Sequence, residues 1–201
     1  LSRGPVPTLA FQERQIRTFA AYKINVYSPY FENTMQYASN PLPALPGGSM
    51  SADDAKELVS FARRYHVTII PEQEAIGHLH KVLLWQKYAP LAEIPNGAVL
   101  APGQPGSLQM ITQDFDELAG IYPGPFLHIG ADETFELGQG QTAAEVQQQG
   151  RGAVYIDYLL RIHQALAPLH RRLLFWGDMA MSSPDLVPKL PHDLRAVAWE
   201  Y

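Results

Sequence analysis

Five short apolar runs, at 24–27, 67–70, 126–129, 173–176 and 196–199, each follow a segment with helical spacing. That alternation constrains the fold more than any other feature of the chain. Phe11, Ile16, Phe19 and Ala20 suit one face of a first helix. Ser51, with Asp54 three residues on, reads as a capping box opening a second, whose apolar face is Ala55, Leu58, Val59, Ala62 and Tyr65. Leu108, Ile111, Phe115 and Leu118 mark a third, and Val154, Tyr158, Ile162 and Leu166 a fourth. A shorter helix is expected near Leu186 and Val187. The run at 67–70 is β-branched and is expected to close at Pro71. Strands alternating with helices imply βαβ units and a parallel α/β sheet.

A doubly wound sheet and a (β/α)8 TIM barrel both fit this alternation. No Gly-x-Gly-x-x-Gly follows any of the runs, which weakens the dinucleotide-binding version of the doubly wound fold. A whole barrel takes about 250 residues, and the chain has 201. The expectation is therefore a single partial domain over 1–201, part of a barrel cut at both ends. The start at Leu1 fits an upstream segment that was removed or lies outside the piece. The Pro/Gly-rich stretches 41–48 and 95–106 read as long loops within that domain.

A net charge of −5 and the lack of long basic runs argue against a nucleic-acid partner. The apolar runs are strand-sized, so no membrane span is expected. With no cysteine, disulfides and thiolate metal sites are excluded.

In parallel α/β folds, chemistry sits where the strands end. Tyr30, Phe31 and Glu32 follow the first run, and Glu72, Glu74, His78 and His80 the second. Asp132 and Glu133 follow the third, Trp176 and Asp178 close the fourth, and Trp199 and Glu200 the last. Every strand delivers a carboxylate to one rim, and three bring an aromatic. Carboxylates bond hydroxyls and move protons, and aromatic faces stack on a pyranose, so the rim suits a sugar. A phosphorylated ligand would call for glycine-rich loops and basic groups, and no such loop is evident. The adjacent pair Asp132–Glu133, placed directly after Gly130, is the leading candidate for catalysis.

With these residues in place, the chain resembles the catalytic barrel of glycoside hydrolase family 20, the β-N-acetylhexosaminidases. The family's His-x-Gly-Gly-Asp-Glu signature stands here as His128-Ile-Gly-Ala-Asp-Glu133, with alanine for the second glycine. Ile69-Ile-Pro-Glu-Gln-Glu-Ala-Ile-Gly-His78 is similar to its Ile-Pro-Glu-hydrophobic-Asp-x-Pro-Gly-His segment. Tyr22-Lys-Ile-Asn-Val26 is similar to its entry into strand two. Trp176-Gly-Asp178 and Trp199 fall where the family places sugar-lining tryptophans. Departures are Tyr30-Phe-Glu-Asn33, in place of a His-x-x-Asp stretch, and Gln73, Glu74 and Ile76 within the second segment.

The resemblance implies that the piece spans about barrel strands two to six. It further implies a retaining exo-β-N-acetylhexosaminidase-type hydrolase whose substrate supplies its own 2-acetamido oxygen as nucleophile. Glu133 would then be the acid and base, and Asp132 would hold the acetamido group. Trp176, Asp178 and Trp199 would bind the sugar. His78 and Glu32 would orient Glu133, with His128 as structural support. The implied partner is an N-acetylhexosamine-containing glycan or glycoconjugate, with no cofactor and no metal. Two acids so close also push their proton affinities apart. Lacking strands one, seven and eight, the piece alone is expected to be a poor catalyst. A periplasmic or extracellular site follows from the resemblance alone, and oligomeric state is unknown. Two alternatives stand beside this: a non-catalytic sugar-binding remnant of the barrel, and a metal-dependent barrel hydrolase built on His78, His80, His128, Asp132 and Glu133.

Overall fold

The structure, a computed structural model, describes residues 4–45 and 47–199; Glu200 lies outside them. Helix α1 (Leu9–Ala21) is capped by Thr8, whose hydroxyl accepts from the Phe11 amide. Its buried face is not quite the expected one. Ile16 is fully buried, but Phe11 is exposed and Gln12 is buried instead, with its amide donating to the Pro7 carbonyl at 2.9 Å. Helix α2 (Ala52–Arg64) opens on the Ser51 cap, with Asp53 and Asp54 in the first turn and Arg63 and Arg64 in the last. Ala55, Leu58 and Ala62 are buried as expected. Tyr65 is not: the helix turns Phe61 inward, and Tyr65 stacks on that ring at 5.0 Å from the outside.

The first two strands each come in two pieces. β1 (Val26–Tyr27) and β2 (Tyr30–Phe31) flank Pro29, and β3 (Thr68–Ile69) and β4 (Glu72–Gln73) flank Pro71. Pro71 therefore does not end its strand. Val26 lies opposite Thr68 and Tyr30 opposite Glu72, so one register runs through both pieces. The amides of Thr68, Ile70, Glu72 and Glu74 all donate to residues 25–31. Donors alternate sides along a strand, so the N–H that Pro71 lacks falls on the other side and costs this ladder nothing.

A long connection carries the one-turn helix α3 (His80–Leu83) and leads to α4 (Pro105–Ile121), which has proline in its first turn. Strand β5 (Phe126–His128) follows, then α5 (Ala143–Gln149), α6 (Arg151–Leu166) and β6 (Arg172–Trp176). The expected faces of α4 and α6 hold: Ile111, Phe115, Leu118, Val154, Tyr158, Ile162 and Leu166 are buried, and only Leu108 is part-exposed. The helix expected near Leu186 is instead a four-residue α7 (Asp178–Met181) followed by a 3₁₀ turn over Pro184–Lys189. Pro188, inside the segment, prevents a regular α-helix there. β7 (Arg195–Val197) closes the described chain.

All strand pairs are parallel, and the main sheet runs β2-β4-β5-β6-β7 in chain order. A doubly wound sheet reverses its order at a switch point; this one does not, and its strands follow one another in a single direction. All the strands' C-terminal ends therefore meet at one rim. Among the described residues no helix is long and apolar enough to cross a membrane.

Candidate active site at the C-terminal rim

The loop after β5 is held at almost every peptide. Gly130 N–H donates to His128 Nδ1 at 3.1 Å, and Ala131 N–H to Glu74 Oε2 at 3.1 Å. The fully buried Tyr155 donates its hydroxyl to the Ala131 carbonyl at 3.1 Å. Glu133 N–H donates to Asp178 Oδ2 at 3.0 Å. These contacts sustain left-handed backbone at Gly130 (φ 61°), Ala131 (φ 77°) and Glu133 (φ 47°). Two of those three are not glycine, and left-handed geometry costs such residues roughly 1–2 kcal/mol each.

Two glycines let the motif segments interlock. A Cβ on Gly130 would overlap the Glu74 carboxyl group, and one on Gly77 would overlap the Asp132 carbonyl oxygen. His78, itself at φ 55°, follows directly. Its Nε2 lies 3.3 Å from Asp132 Oδ2 and 3.4 Å from Glu133 Oε2, so one imidazole nitrogen sits between both acids. Asp132 is largely covered, whereas the Glu133 side chain is 41% exposed. The acids differ in access although they are neighbours in sequence.

The hydrogen bond to Asp132, partly offset by burial, raises the His78 pKa and favours imidazolium. Burial alone would raise Asp132, but hydrogen bonds from His78 and Glu74 outweigh it and hold that carboxyl below its ordinary range. Glu74 is fully buried beside Asp132, and its pKa is driven well above the usual value by that burial and by the neighbouring charge. Proton affinities are thus pushed apart between Asp132 and Glu74, a pair other than the sequence neighbours for which the separation was expected.

Glu72, His128 and Trp176 form a layer beneath the acids, from three neighbouring strands. Trp176 Nε1 donates to Glu72 Oε1 at 2.6 Å, and the His128 ring tilts against Trp176 at 4.6 Å. Burial raises Glu72 to about 7 and lowers His128 to about 4. Glu72 and His128 lie 3.8 Å apart, within reach of an ion pair, but His128 accepts the Gly130 N–H through Nδ1 and is neutral near pH 7, so the pair is not a salt bridge.

The structure therefore joins Asp132, Glu133, His78 and Asp178 directly, and places His128 and Trp176 just below. Glu32 is buried, accepts the Tyr30 hydroxyl at 3.0 Å and adds to the field that favours a charged His78. Trp199 is half-buried two residues beyond β7, at the same rim. His80 does not join: it is exposed at the start of α3, so the His78-Leu-His80 pair does not converge. Among the described residues no three His, Asp or Glu side chains are arranged to hold one metal ion. Glu74 and Tyr155 belong to the cluster and were not among the site residues expected from sequence. Glu74 could have been found by its place in the second motif segment; Tyr155, on the buried face of a helix, carried no signal.

Residues 23–201 match the catalytic domain of glycosyl hydrolase family 20. Among curated proteins, Hexosaminidase D of Bos taurus is 24% identical over 99% of this chain and 60% of its own length. Hexosaminidase D of Homo sapiens is 24% identical over 99% of this chain and 43% of its own. The chain thus spans about half the length of these relatives. A GH20 exo-β-N-acetylglucosaminidase from Vibrio harveyi, solved in complex with N-acetylglucosamine, superposes with a TM-score of 0.77 at 23% identity, covering 98% of this chain and 36% of that one. A chitobiase from Flavobacterium johnsoniae superposes with a TM-score of 0.80 at 17% identity, covering 96% of this chain and 32% of that one. Both similarities concern the fold.

Proposed function

Because the chain belongs to glycosyl hydrolase family 20, we propose that it carries the acids of a retaining exo-β-N-acetylhexosaminidase working by substrate-assisted catalysis. The sheet is then an arc of a (β/α)8 barrel whose other strands complete the sugar pocket. The observation that carries the reading is the single nitrogen of His78 set between two adjacent acids, one covered and held ionised, the other open to solvent.

An ordinary retaining glycosidase needs two carboxyls on opposite sides of the scissile bond, about 5–5.5 Å apart. Sequence neighbours suit another division of labour. The substrate's acetamido oxygen attacks C1 while the C1–O bond breaks, and the electron pair leaves with the glycosidic oxygen. Glu133 gives that oxygen its proton. The sugar is left as an oxazolinium whose positive charge faces the Asp132 carboxylate, which also accepts the acetamido N–H. Water then attacks C1 as Glu133 takes back a proton, and the ring opens to an N-acetylhexosamine of retained configuration. His78 orients both acids, with Glu32 behind it, and His128 supports the loop from below. Trp176, Asp178 and Trp199 line the sugar pocket.

The test compares aryl N-acetyl-β-glucosaminide with aryl β-glucoside. Hydrolysis of the first, and none of the second, is expected of a substrate-supplied nucleophile. With the full-length protein, equal rates on both, or binding of N-acetylglucosamine with no turnover, would overturn the reading. Loss of activity to a chelator would point instead to the metal-dependent alternative.

A further inference from the structure

The proposed reaction gives no task to Glu72 or Glu74, and of the two Glu74 is completely buried beside Asp132. Its Oε2 accepts the Ala131 N–H at 3.1 Å. Its carboxyl group lies flat against Gly130, in the space a side chain there would fill. Among the described residues its Oε1 receives no N–H or O–H, and the same holds for Asp132 Oδ1, which is also buried. Yet the two carboxyl groups stand close enough to act on one another as hydrogen-bond partners. Carboxylates only accept. A bond between two of them needs a proton on one.

The surroundings decide which. Asp132 has the His78 nitrogen at 3.3 Å on its other oxygen, a partner that favours the anion. The groups that act most on Glu74 are burial, Asp132 and Glu72, with the Ala131 N–H alone favouring charge. Tyr30 from β2 and Tyr155 from α6 feel the same acids and supply no cation. Two ionised carboxylates in contact in a buried site would be prohibitively costly, whereas a neutral acid beside an ionised one is a stable arrangement. Neutral carboxylic acids can serve as hydrogen-bond donors at neutral pH where the site is apolar enough.

We propose that Glu74 is a standing carboxylic acid that donates its O–H to Asp132, fixing the rotamer and preserving the charge of the aspartate that meets the acetamido group. Asp132 is then clamped between a neutral donor on one oxygen and imidazolium on the other. Glu74 is a positioning residue; it touches no reacting atom. The role rests on the proposed hydrolase reading, but the protonation state does not.

The test uses Glu74→Gln and Glu74→Ala. Gln keeps a donor toward Asp132 and an acceptor for Ala131, and cannot ionise. Glu74→Gln is expected to keep kcat within about threefold and to leave the acid limb of the pH profile in place. Glu74→Ala is expected to lose about 10²-fold in kcat, with its acid limb moved to higher pH because Asp132 has lost a donor. If Gln loses as much as Ala, Glu74 acts as an anion and the proposal fails. Independently of turnover, the infrared difference spectrum of wild type minus Glu74→Gln should contain a protonated-carboxyl C=O band at neutral pH. An ionised-carboxylate band in its place overturns the proposal even if Glu74→Ala does not fold. Should the wild type hydrolyse no N-acetyl-β-hexosaminide, the functional reading fails and this band alone decides the state of Glu74.

Discussion

Asp178, the first residue of α7, accepts the backbone N–H of Glu133 at 3.0 Å. The peptide that carries the exposed acid is thus tied to the end of the next strand, and the left-handed φ of Glu133 is held from outside its own loop. Asp178→Ala should lower kcat by about tenfold or more through misplacement of Glu133. Asp178→Asn, which can still accept that N–H, should keep most of the activity. Steady-state kinetics on one aryl substrate separates the two, and equal activities would show that the bond does not position the acid.

Gly130 and Ala131 should respond very unequally to exchange. Gly130→Ala forces a methyl into the Glu74 carboxyl group and should cost at least about 3 kcal/mol. Ala131→Gly relieves roughly 1–2 kcal/mol of left-handed strain, but loses a buried methyl worth about 0.8 kcal/mol and adds chain entropy of about 0.5–1 kcal/mol. These nearly cancel, so stability should stay within about 1 kcal/mol of wild type. Denaturant unfolding of both variants checks the pair.

His78→Ala removes the partner that helps keep Asp132 ionised. The Asp132 carboxyl should then protonate at higher pH, and the acid limb of kcat/KM should shift upward, with kcat down about 10²-fold. An unmoved limb, whatever the loss of rate, would mean that His78 does not set the charge of Asp132.

Away from the site, Asp114 is buried with its Oδ1 taking the Asn40 amide at 2.8 Å, and burial raises its pKa from 3.8 to about 7. The folded state keeps a proton that the unfolded chain gives up between about pH 4 and pH 7. This contribution to stability is full below that window, falls as pH rises through it, and is level above. Asp114→Asn should therefore gain on wild type as pH rises from about 4 to 7, by roughly 2–4 kcal/mol at most. Unfolding curves across that range measure the difference; a constant offset would contradict the assignment.

Helix faces with strong 3.6-residue spacing were legible in sequence, and Ile111, Phe115, Val154 and Ile162 are buried where spacing puts them. The errors lie where a single residue decides. Phe61 and Tyr65 are both aromatic and one turn apart, and which one turns inward depends on the helix's neighbours. Pro71 looked like a strand end because sequence does not reveal on which side its missing N–H would fall. At the site, Asp132, Glu133, His78 and Asp178 were readable as rim residues, since parallel strands bring their ends together. The complete burial of Glu74 was not, because it depends on the bare Cα of Gly130 across from it. Nor was the left-handed backbone of Ala131 and Glu133, for which neither residue type is diagnostic.

Pro71 stands one residue before the rim acid Glu72, and Pro29 one residue before Tyr30, whose hydroxyl donates to Glu32. A pyrrolidine ring fixes φ in the unfolded chain as well as the folded one. Part of the conformational freedom that must be surrendered to present these groups is therefore never available to begin with. The backbone leading to Tyr30 and to Glu72 is thus stiffened, at one torsion each, by covalent constitution.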